Sequence, residues 1–127
     1  MPLRVEVDAK KEMILVSGEG VVTDDDLLEY VQEYLLGSDL RGFDELFDLS
    51  EADLQDLTYA GLSSVAAAAA ASDSDVAPTK IAILISEARG MGVSRLYQSL
   101  RESKGGRRHT RVFWDRTECL EWLGLTP

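Results

Sequence analysis

The feature that most constrains this chain is a local grammar stated three times: apolar strand, short polar turn, helix. Its fullest statement runs from Phe43 to Ser74. Glu45-Leu46-Phe47-Asp48-Leu49-Ser50 reads as a strand, an acidic connector follows, and a helix begins near Thr58 and carries six consecutive alanines, Ala66 to Ala71. The order returns at Lys80–Ser103 and at Arg111–Leu123. Successive strand–helix units pair their strands in parallel through right-handed crossovers, so the chain is committed to an α/β fold. At 127 residues it has the size of one domain, 1–127, with a single core.

The remaining elements fall into place around this repeat. Leu3, Val5 and Val7 alternate with Arg4, Glu6 and Asp8, the two-residue period of a strand with one wet face. Asp8–Glu12 is a polar turn, and Met13-Ile14-Leu15-Val16 completes an antiparallel hairpin. Gly18 and Gly20 predict a bulge or bend before Val21-Val22. Thr23 before Asp24, Asp25 and Asp26 is a helix start, since the hydroxyl caps a free N–H and the acids complement the helix dipole. Leu27, Leu28, Val31, Tyr34 and Leu35 share one face of this helix, with Gly37 as its C-terminal cap. The second helix covers about Thr58 to Ser72 with Leu62, Val65 and Ala69 inward, where its small side chains allow close approach.

Lys80–Ser86, nearly continuous apolar, predicts a central strand covered on both faces. A third helix is expected from about Gly92, with Val93, Leu96, Tyr97 and Leu100 inward, broken by Gly105-Gly106. Arg111–Trp114 is a last short strand. Asp115 with Glu118 opens a terminal helix anchored by Leu120 and Leu123 and stopped by Gly124. The expected order is β-β-α-β-α-β-α-β-α in a mixed five-stranded sheet.

Several function classes lose ground on charge and composition. A formal charge of −10 opposes a phosphate-backbone partner, so nucleic acid is not expected. Through Thr58 there are 16 acids against 4 bases, and from Tyr59 onward 7 against 9, a polarity suited to a basic partner or to head-to-tail pairing of two copies. No apolar run approaches the roughly 18 residues that span a bilayer, and the N-terminus has no signal-peptide core. With the lone cysteine Cys119, read as a small buried group, a cytoplasmic location is expected.

Read together, Gly20–Leu28, Phe43–Leu49, Gly92–Gln98, Val112–Asp115 and Glu121–Gly124 resemble, in this order and spacing, the SpoIIAA-like or STAS-like families of small α/β domains, in an uncharacterised bacterial branch of STAS/SEC14-type. The resemblance covers essentially the whole chain and implies a non-catalytic module. Members that antagonise anti-sigma factors carry a phosphorylated serine in an Asp-Ser-Ser-Gly-Leu turn where the second helix begins. The matching stretch here is Thr58-Tyr59-Ala60-Gly61-Leu62, with Tyr59 in the serine's place and Thr58 left as a candidate phosphosite or a plain helix cap. Glu51, Asp53 and Asp56 just upstream oppose an added phosphate.

A second candidate lies between the central strand and the third helix, where open α/β sheets bind ligands. Gly90 and Gly92 would let a backbone approach an anion, Arg89 and Arg95 would neutralise it, and Ser94 would donate a hydrogen bond. The third glycine of a dinucleotide fingerprint and the Walker lysine are missing. Asp44, Glu45, Asp48, Glu51, Asp53 and Asp56 read as a solvated acidic edge rather than a calcium loop, and His109 stands alone in a basic loop. No metal, cofactor or catalytic residue is expected. The chain is expected to act by binding a protein partner, a second copy (homodimer) being one candidate. The alternative is a small anionic or apolar ligand held near the junction of strand 80–86 and helix 92–103.

Overall fold

A computed structural model describes residues 2–36, 39–72, 79–86, 88–103 and 108–125, without the side chains at 39, 41, 72, 88, 89, 103 and 108. The expected hairpin pairs β1 (Leu3–Asp8) antiparallel to β2 (Met13–Val21), with Val5 opposite Val16 and Val7 opposite Ile14. The bulge expected at the glycines falls between Ser17 and Glu19, and beyond it β2 continues to Val21. That extension changes β3 (Asp44–Asp53). Glu51, Ala52 and Asp53, expected as connector, pair with Glu19, Gly20 and Val21, because a neighbouring ladder outweighs the poor strand propensity of acids.

α1 (Asp24–Tyr30) opens with a reciprocal capping box: Asp26 N donates to Thr23 Oγ1 at 3.3 Å, and Thr23 N to Asp26 Oδ2 at 2.8 Å. It runs on into one π-helical turn, Val31–Leu35. The Gly37 cap lies outside the described residues, as does the Gly105-Gly106 break. α2 (Tyr59–Ser72) has the expected bounds. α3 (Ala88–Ser103) begins four residues before Gly92, so Gly90-Met91-Gly92 is the first turn of a helix rather than a loop. Gly90 is buried there because a Cβ would meet Ile85 Cγ2 at 3.3 Å. α4 (Arg116–Leu123) is capped by Asp115, which accepts from Thr117 N and Glu118 N, and ends at Gly124 with φ +75°.

β4 (Thr79–Leu84) and β5 (Arg108–Phe113) complete the sheet. The stretch from Arg108 to Thr110, expected as part of a basic loop before the strand, belongs to β5 and pairs with Thr79–Ile81. Trp114, expected at the strand end, lies just beyond it and is 50% exposed.

The strands lie in chain order β1-β2-β3-β4-β5, antiparallel only between β1 and β2. Right-handed crossovers between strands laid down in one direction put every connecting helix on the same side. α1, α2 and α3 therefore cover one face, and α4, which connects to no further strand, packs on the other. Ile14, Val16, Ile81 and Ile83 meet Leu62, Val65 and Ala66 on the three-helix face. Met13, Leu46, Ala82, Leu84 and Phe113 meet Cys119 and Leu123 on the α4 face. Ala66 and Ala69 are 0% and 3% exposed, the close approach expected of small side chains.

Candidate functional site

Strand parity places an acid inside the larger core. In β3, Glu45, Phe47 and Leu49 share a face, and the ladder sets Glu45 level with Ile14 and Ile81. That is the face under the helices, so Glu45 is 1% exposed. Asp44, Leu46 and Asp48 take the opposite face. The expectation of a solvated acidic edge is therefore wrong for Glu45. The helices laid over that face of β3 cover it, so the strand has no wet side there to offer an acid.

Around Glu45 the helical layer leaves a cavity of about 50 Å³. Its floor is Phe47 and Leu49 of β3 with Ile81 and Ile83 of β4. Leu27, Tyr30, Val31 and Leu35 wall it from α1 and its π-helical continuation, and Leu62, Val65 and Ala69 from α2. Val93, Ser94 and Tyr97 close it from α3. Tyr30 donates its hydroxyl to Glu45 Oε1 at 2.6 Å within the core. The Tyr30 ring is held edge-on to Phe47 at 5.2 Å and stacked on Tyr34 at 5.6 Å. Glu45 is the one acidic or basic side chain among the described lining residues. The arrangement can hold an apolar body against the aliphatic walls and present a carboxylate to a donor or a cation.

The residues anticipated for a ligand are divided by the helix. Ser94 is 3% exposed and reaches the cavity with Tyr97, whereas Arg95, one residue on and about 100° round the helix, is exposed. Gly92 faces open space. The Arg89 side chain and Glu87 lie outside the described residues. Tyr30 was not singled out in the sequence, although it stands three residues from Leu27 and four from Tyr34, the spacing of an inward face. Glu45 carried a similar signal in its parity with Phe47 and Leu49.

Thr58 caps α2: its Oγ1 accepts from Gly61 N at 3.0 Å. It also joins the starts of two helices, since Thr58 N donates to Asp24 Oδ1 at 3.0 Å and its hydroxyl to Asp24 Oδ2 at 2.7 Å. Gly61 is required there, because a Cβ would fall on the Asp24 carboxylate. A phosphate on Thr58 would displace that latch and face Asp24 directly.

On the opposite face Asp48 accepts from Ser50 Oγ and from Arg116 Nη2, both at 2.5 Å. Burial pushes the Asp48 carboxyl up, but the bonds from Ser50 and Arg116 and the Arg116 charge outweigh it and hold it below its ordinary value. Cys119, 1% exposed nearby, is the buried thiol expected, and burial pushes it to about 11 against the opposing pull of Arg116. Among the described residues no group of three or more His, Cys, Asp or Glu could hold a metal ion. Nor is any helix among them long and apolar enough to cross a membrane.

A mixed five-stranded sheet with three crossover helices on one face and a fourth on the other is a SpoIIAA-like α/β domain, as the sequence resemblance implied. Among solved structures, an uncharacterised DUF3478-family protein with a SpoIIAA-like fold from Shewanella loihica PV-4 aligns with a TM-score of 0.58 at 18% identity, over 95% of this chain and 91% of its own. That likeness is one of fold. No family model matches the chain, and no curated protein matches it.

Proposed function

We propose that this domain is a non-catalytic binding module whose cavity takes a small ligand with an apolar body and a hydrogen-bond-donating or cationic head. The observation that carries the reading is Glu45, 1% exposed in an otherwise aliphatic and aromatic lining and held by the Tyr30 hydroxyl. A buried carboxylate costs several kcal/mol in desolvation, and a well-packed apolar residue in its place is often neutral or stabilising. Its presence at a cavity is therefore better accounted for by recognition than by stability.

The cavity holds about four water-sized groups, so it fits a head and a short chain. The test is a thermal-shift series with butylamine, butanol and butyrate at equal concentration. Amine and alcohol should raise Tm while butyrate does not. No shift with any of them, or equal shifts with all three, would reject the reading.

A second reading, docking of a protein partner, draws support from α2. Its 14 residues include no charge, and its outward positions Ala60, Ser64, Ala67 and Ala71 are small and exposed beside Tyr59, 65% exposed. A surface helix without a charged face is one that gains by being covered. On this reading Ala67→Lys with Ala71→Lys abolishes self-association or partner capture. Unchanged sedimentation and pull-down would remove it.

A further inference from the structure

We infer that the free edge of β1, together with the acidic flank of α1, is a docking groove for a lysine- or arginine-bearing segment that adds to the sheet as an extra strand. β1 is one of the two edge strands of the sheet among the described residues, β5 being the other. Pro2 O accepts from Glu19 N at 3.0 Å, and bonded pairs alternate along an antiparallel ladder. Arg4, Glu6 and Asp8 therefore turn their backbone groups toward β2, and Leu3, Val5 and Val7 turn theirs outward. An edge of this kind is a template for another strand.

Between that edge and α1 lies a groove of about 180 Å³. Leu3 and Val5 form its floor, Tyr30 and Tyr34 its aromatic wall, and Asp26, Glu29 and Glu33 its rim, with no basic residue among the described lining residues. Asp26 is engaged by Thr23, while Glu29 and Glu33 are exposed. Those two stand four residues apart on the helix, about 6 Å along its axis, close to the roughly 6.8 Å between same-face side chains of a strand. A segment with a basic residue at every second position would thus match backbone donors and acceptors, apolar floor and carboxylates together. Two copies of this chain paired through β1 would instead bring their acidic flanks side by side, and like charges there oppose it. This surface is distinct from the internal cavity, although Tyr30 is part of both walls.

The experiment is fluorescence anisotropy of a labelled peptide alternating lysine and valine, titrated with the full chain in low salt, against the same peptide carrying glutamate for lysine. The lysine peptide alone should bind. Glu29→Lys with Glu33→Lys should weaken it at least tenfold, and both sites are exposed, so folding is not at stake. Val7→Pro removes an outward amide that β2 does not use and should weaken binding several-fold with an unchanged circular-dichroism spectrum. No binding of the lysine peptide overturns the proposal, as does binding that ignores Val7→Pro, which would mark attraction by net charge alone. A dimer in native mass spectrometry that Val7→Pro dissociates would give the edge to a second copy and equally overturn it.

Discussion

Removing the Tyr30 hydroxyl and the Glu45 carboxylate, singly and together, separates recognition from stability. The Tyr30–Glu45 bond is short, at 2.6 Å, and buried, and a bond to a charged acceptor contributes about 1.5–3 kcal/mol. Tyr30→Phe should therefore cost about 2 kcal/mol, roughly 8 °C in Tm for a domain of this size. Glu45→Leu takes the acceptor of that bond away from the buried Tyr30 hydroxyl, a loss of about 1–3 kcal/mol, but also relieves the desolvation of a buried carboxyl group. Its net effect should be smaller, about 1 kcal/mol. The double variant removes both ends of the bond, so it should cost less than the two single variants added together, with a coupling of about 1–2 kcal/mol in the cycle. Urea denaturation of the four proteins at pH 7 measures each value. If the double variant loses as much as the two single variants added together, the pair is not a unit and the carboxylate is held for other reasons.

Other perturbations test the surrounding scaffold. Gly61→Ala forces a methyl group into the Asp24 carboxylate and breaks the latch to Thr58, so it should cost about 1–3 kcal/mol in denaturant titration. Thr110 is 5% exposed and its hydroxyl finds no partner among the described residues; Thr110→Val should stabilise by about 1 kcal/mol in the same assay. The Cys119 thiol is raised from 9.0 to about 11, so its contribution is complete below the ordinary thiol range and is lost as pH rises toward 11. Stability should fall between pH 9 and 11 more steeply in the parent than in Cys119→Val.

Where side-chain period and turn chemistry point the same way, the sequence and the structure agree. Leu3 and Val5 gave a strand with one covered face, although Val7 at its end stays exposed, Thr23 and Asp115 gave helix starts, and the alanines gave a helix lying close against the sheet. The disagreements arise where a neighbouring strand supplies what the local sequence lacks. Glu51–Asp53 is strand only because β2 extends past its bulge, and Arg108–Thr110 is strand only because β4 lies beside it. α3 starts early because Gly90 fits under Ile85, a packing fact with no local signature. About half of the cavity was legible: Leu27, Val31, Leu35, Leu62, Val65, Ala69, Val93 and Tyr97 follow from periodicity. Glu45 was not recognised because an acid in an acidic segment reads as solvated until strand parity and the burial of both sheet faces are known together. Ser94 was anticipated beside Arg95, but a helix turns adjacent residues about 100° apart and so separates them.

The central claim, that the Glu45 cavity holds a ligand, is tested most directly by native mass spectrometry of the protein purified from its own host, beside the Tyr30→Phe/Glu45→Leu variant. The parent should retain a small non-protein mass that the folded variant lacks. A parent that carries nothing, or a mass retained equally by both, would contradict it.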